Sequence, residues 1–142
     1  MRPELWAALT AICWGVGSFF EKKGVKMGNF TPVMGTAIRT GVSLLILAAA
    51  SSPFWGQIPR AGWKPVLMIA VGGGVLAGAV GLLCFYNGLA SGELSKVMVI
   101  AFCLTPVIGA AMGMAILGEG HSPLRIAGMV LAVLGAGLVT IG

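Results

Sequence analysis

A carboxylate and a guanidinium stand where hydrocarbon is expected. Glu21 lies at the end of an apolar run that starts at Pro3, and Arg39 lies well inside a second run that starts near Thr31. An ionised side chain at membrane depth costs about 3 kcal/mol on insertion scales unless it reaches the interface or finds a partner. With a turn centred at Gly28-Asn29, Glu21 is about seven residues, or roughly 10 Å, into one helix. Arg39 is about ten residues, or roughly 15 Å, into an antiparallel neighbour. Both enter from one side at comparable depth, so a Glu21–Arg39 ion pair would relieve both. Trp14 and Ser18 fall one turn apart on one helix face, and Tyr86 and Asn87 end a third apolar run. Together, Trp14, Ser18, Glu21, Arg39, Tyr86 and Asn87 form a mildly polar, aromatic set suited to holding a small molecule.

The same residue types argue against catalysis. The chain has one histidine, His121, and no aspartate. Acid–base or metal chemistry needs clustered His, Asp, Glu or Cys. Cys13, Cys84 and Cys103 are odd in number, lie in apolar runs and form no CxxC pair, so they read as packing residues. No catalytic residue, metal site or cofactor is expected. No glutamate is mid-span, and a proton-coupled exporter of cations would need a deep acid. Arg39 and the lysines favour a neutral, zwitterionic or anionic metabolite instead. At least one of Lys22 and Lys23 snorkels to the headgroups, and which of the two faces a cavity stays open. Glu119 reads as an interfacial anchor or a partner for Arg125 or His121.

Composition sets the elements that must position these groups. The 142-residue chain is 58% hydrophobic and 9% charged, whereas a soluble domain carries about 25% charged residues. This is an all-α integral membrane protein. Five spans are predicted, at about 3–26, 31–52, 64–89, 95–117 and 123–142, in a single domain over 1–142. The first run passes into Glu21-Lys22-Lys23 with no small-x-small site, which argues against a cleaved signal peptide. Short turns at 27–30 and 91–93 make hairpins of spans 1–2 and 3–4, and Pro123 suits a helix start. Pro106 should kink the fourth span. Gly74, Gly78 and Gly81, with Gly109 and Gly113, form small-residue faces for close helix packing.

Five spans put the termini on opposite sides. Arg2, Arg60, Lys64 and Arg125 then lie on one side, and Lys22, Lys23, Lys26 and Lys96 on the other. Orientation normally follows an excess of Lys and Arg on the cytoplasmic side. A balanced count allows insertion both ways up, and two copies in opposite orientations supply the inverted symmetry common in transporters. The net charge of +5 is scattered, with no stripe that would suggest nucleic acid.

Residues 82–142 carry an ordered set of motifs. Tyr86 precedes a short loop, Thr105-Pro106 lies within the fourth span, Leu117-Gly118-Glu119 ends it, and Gly128, Gly135 and Gly137 line the last helix. Trp14-Gly15 with Lys22 or Lys23, and Arg39, add to the set upstream. The chain resembles the EamA domain of the drug/metabolite transporter superfamily, in its short single-domain, five-span branch. Members commonly carry two inverted five-span domains in one chain. The resemblance therefore implies an antiparallel homodimer, a small-molecule substrate, a lipid environment and alternating-access transport in a prokaryotic inner membrane. The alternative from another class is a non-transporting subunit that stabilises another membrane protein.

Overall fold

The computed structural model describes residues 2–120 and 122–142. Every regular element among them is helical, and they form two compact units, Met1–Ser91 and Gly92–Gly142.

In the first unit, helix α1 (Pro3–Gly28) starts with proline in its first turn and Glu4 beside it, both suited to a helix N-terminus. It stops at Asn29, whose left-handed backbone (φ 48°, ψ 38°) turns the chain. Asparagine tolerates that region better than most residues. The Phe30 N–H then donates to the Val25 carbonyl at 3.1 Å. Helix α2 (Pro32–Ser51) starts at once, with the Thr31 hydroxyl accepting from the Met34 N–H at 3.3 Å. The cap and the proline after it fix a tight hairpin.

The connection between the second and third predicted spans is itself mostly helical. A 3₁₀ turn (Ser52–Phe54) and a short helix α3 (Gln57–Ala61) lead to Gly62, whose φ of 81° favours glycine. Helix α4 (Trp63–Met68) follows, and the same rod continues as a π-helical stretch (Ile69–Gly81) and then helix α5 (Leu82–Ser91). Thirteen π-helical residues is long for a geometry that usually appears as single-turn bulges.

The second unit is a helical hairpin. Helix α6 (Leu94–Ile116) runs through Pro106 without ending, and the neighbouring Thr105 hydroxyl donates to the Ala101 carbonyl at 2.6 Å. Past its end, Gly118 (φ 66°) folds the chain back so that the Glu119 and Leu117 N–H groups both reach the Gly113 carbonyl at 3.1 Å. Helix α7 (Pro123–Ile141) starts with Ser122 capping the Arg125 N–H at 3.3 Å.

Among the described residues four helices, against the five expected, have the length and apolar character of a membrane span. The helices long and apolar enough to cross a membrane are Pro32–Phe54, Trp63–Ser91, Leu94–Ile116 and Pro123–Ile141. Helix α1 has the length, at 26 residues, but Glu4, Glu21, Lys22, Lys23 and Lys26 lower its apolar character. Most large apolar side chains face outward, with Leu44, Leu45, Ile46 and Leu47 more than half exposed. Such a surface suits hydrocarbon, because lipid tails solvate leucine as well as a protein core does. Among the described residues the buried set is small: Ser18, Val25, Gly35, Thr36, Tyr86 and Leu89 in the first unit, and Gly113 and Ala136 in the second.

Among the described residues, the small-residue faces seat no neighbouring helix within their own unit. A Cβ on Gly74 or Gly109 would meet nothing within 4 Å. On Gly78 and Gly81 it would meet carbonyls five residues back on the same rod, of Gly73 and Leu76, as the wider π-helical turn dictates. On Gly113 it would meet the Glu119 carboxylate, 2.7 Å away.

Candidate functional site

The α1–α2 hairpin is symmetric about Phe30. Val25 and Gly35 are each five residues from it, and Glu21 and Arg39 each nine. Both pairs face each other across the hairpin. A Cβ on Gly35 would lie 3.1 Å from Val25 Cγ2. One turn deeper, Arg39 Nε lies 2.7 Å from Glu21 Oε1.

Helix α5 closes this seam. Tyr86 is 2% exposed and packs its ring on Gly35, where an added Cβ would lie 2.6 Å from Tyr86 Cε1. Only glycine lets the ring approach the α2 backbone so closely. The Tyr86 phenol lies beside the Glu21 carboxylate. On the other side, the Arg39 guanidinium carbon lies 5.7 Å from the centre of the Trp14 ring, a cation–π distance. Glu21 and Arg39 keep 19% and 29% of their side-chain surface exposed, so the pair is mostly withdrawn from solvent.

These residues border an open cleft of about 420 Å³ in the first unit. Its polar edge holds Glu21, Arg39, Ser43 and Tyr86, and its apolar walls include Phe20 and Phe30. Glu21, Arg39 and Tyr86 are thus brought together, with Trp14 alongside the guanidinium. Ser18 is buried, but away from the cleft lining. Asn87 turns back on its own helix, its amide donating to the Leu83 carbonyl at 2.7 Å, and it does not line the cleft. Gly35 and Ser43 were missed by residue chemistry alone. The available signal was spacing, since Gly35, Arg39 and Ser43 follow one another at i, i+4 and i+8 along one side of α2.

In the second unit, Glu119 folds against Gly113 and makes no ion pair with Arg125 among the described residues. His121, its alternative partner, lies outside the described residues.

The model of the EamA-like transporter family matches residues 1–141. The chain belongs to this family. No curated protein and no solved structure gives a match. Membership, together with the apolar helices, makes it an integral membrane protein of the transporter type, with a small-molecule substrate and a lipid surround.

Proposed function

We propose that the chain is a secondary transporter. It moves a small metabolite by alternating access, as a dual-topology antiparallel homodimer in the prokaryotic cytoplasmic membrane. The observation that carries this reading is the Glu21–Arg39 pair set between Tyr86 and Trp14 at the edge of an open cleft. Two charges at this depth are costly to keep, and replacing such a pair by apolar residues often raises stability. A carrier has a use for them at its binding site, whereas a stabilising subunit does not.

The pair also supports α1 as a fifth span. A count of formal charges penalises Glu21, but the protein neutralises it with Arg39. Lys22, Lys23 and Lys26 lie within two turns of the helix end, within reach of headgroups. With α1 across the membrane, the balanced Lys and Arg count permits both orientations. Opposed copies then give the inverted symmetry that alternating access uses.

The test is flux. A thermal-shift screen of metabolites on purified protein selects the substrate, and its uptake into proteoliposomes is then measured. Trp14→Ala and Arg39→Ala are expected to lower uptake at least tenfold, the loss expected for one charge-assisted contact. Normal uptake in both variants removes the proposed site.

A further inference from the structure

The chemistry of the substrate can be narrowed by asking which polar groups of the cleft are already engaged. Glu21 faces a donor on each side, Arg39 Nε at 2.7 Å and the Tyr86 phenol. Its charge is matched by Arg39, and these two donors take about half of the roughly four acceptor sites of a carboxylate. Arg39 is different. A carboxylate at Nε occupies the side edge of the guanidinium, and the end edge, formed by the two terminal amino groups, can still take a planar acceptor. No second acceptor meets Arg39 among the described residues. One turn further along α2, the Ser43 hydroxyl borders the same cleft and makes no hydrogen bond among the described residues. The groups that engage nothing else at the cleft edge are therefore a charged donor edge on Arg39 and a hydroxyl on Ser43 that can donate.

Charge points the same way. The charged residues that follow Glu21 on α1 are Lys22, Lys23 and Lys26, all basic. An incoming cation would meet Arg39 and this basic helix end. The walls contribute Phe20, Phe30, Ile38 and Val42, which suit a body of several carbons.

We propose that the cleft takes a small carboxylate with an apolar body. Its head binds end-on to Arg39 and accepts a further hydrogen bond from Ser43. Glu21 is the resident anion: it holds the guanidinium in place and opposes the incoming negative charge. This rests on the cleft being the substrate site of the proposed transporter. It also fixes the sign of one effect. Neutralising Glu21 strengthens anion binding, whereas it would weaken binding of a cation or of the ammonium end of a zwitterion.

Three probes with the same carbon chain separate the classes: hexanoate, hexylammonium and norleucine. Binding is measured by calorimetry on purified protein in detergent. Hexanoate is expected to bind at least tenfold more tightly than the other two. Glu21→Gln should tighten hexanoate several-fold, and Ser43→Ala should weaken it several-fold. Arg39→Gln should weaken it at least tenfold. If that variant does not fold, the neutral double variant Glu21→Gln/Arg39→Gln serves, with binding expected at least tenfold weaker than in Glu21→Gln alone. Tighter binding of norleucine or hexylammonium overturns the proposal, as does weaker hexanoate binding in Glu21→Gln. Displacement of hexanoate by oleate in nanodiscs assigns the head to a bilayer lipid and overturns the metabolite reading. Hexanoate binding with no uptake of any solute upholds the inference while refuting transport. Arg39-dependent uptake of another solute, with no hexanoate binding, does the reverse.

Discussion

Arg39 Nε and Glu21 Oε1 are 2.7 Å apart, and their residues stand at equal distances from Phe30 at the hairpin turn. The pair therefore records the register of α1 against α2. Removing one partner leaves the other mostly buried and unpaired. Arg39→Gln or Glu21→Gln alone should lower stability by about 2–3 kcal/mol. The double variant, with neither charge, should recover most of that loss, and the swapped pair Glu21→Arg/Arg39→Glu part of it. Denaturation in detergent followed by circular dichroism reads all four. Additive losses in the double variant would mean that the two groups do not interact.

Much of this pair was legible in the sequence, because depth from a tight turn follows from helix rise alone. Asn29, Thr31 and Pro32 mark the turn, and the same kinds of marker place the ends of α6 and α7 close to where composition puts them. Three things were not legible. The π-helical stretch lies in a nearly uniform run of Gly, Ala, Val and Leu, where no apolar period tells one helix type from another. Asn87 has the right position but spends its amide on the Leu83 carbonyl, a rotamer choice that spacing does not determine. Helix α1 reads as a span by length, yet its charged last turns keep it below the apolar character of the other four.

Gly35 is the narrowest point of the first unit. A methyl group there would overlap the Tyr86 ring at 2.6 Å, with Val25 at 3.1 Å on the other side. Gly35→Ala must push α5 or α1 away from α2, at a cost of about 1–3 kcal/mol. It should also lengthen the Glu21–Arg39 contact, so uptake should fall although no polar group is removed. A melting temperature equal to that of the parent would show that the ring moves freely, against the close packing described.

Tyr86 contributes a ring and a hydroxyl, and the two can be separated. Tyr86→Phe keeps the contact with Gly35 and loses the donor facing Glu21, for an expected loss of about 1 kcal/mol. Tyr86→Ala opens a cavity at a residue only 2% exposed, and substitutions of that kind cost about 3–5 kcal/mol. Thermal melts of the two variants should differ clearly. Equal losses would place all of the effect in the hydroxyl.

Dual insertion has its own readout. Cys13, Cys84 and Cys103 are free thiols and can be replaced together to give a background without cysteine. Single cysteines are then placed in the 27–30 turn and in the 56–62 segment. An impermeant thiol reagent applied to intact cells should label each in roughly half of the molecules, because no basic excess favours either side. Adding two lysines to the 56–62 segment should abolish labelling there and make it complete at 27–30. If only one site labels in the unmodified chain, the protein has a single orientation.

The uncovered glycines bear on the partner. Nothing lies within 4 Å of a Cβ built on Gly74 or Gly109, whereas Gly113 is closed by Glu119. Close helix contact in membranes concentrates on small residues, since backbones must approach to gain dispersion energy. Gly74→Leu and Gly109→Leu therefore fill open space that the proposed second copy would occupy. Each should leave the melt of the dilute protein within about 0.5 kcal/mol, as substitutions clear of buried features do. Each should also reduce chemically cross-linked dimer several-fold. Gly113→Leu acts inside one copy, displacing the Glu119 carboxylate, and should lower the melting temperature even where no dimer forms. If the first two leave the cross-linked dimer intact, these glycines do not lie in the proposed dimer interface.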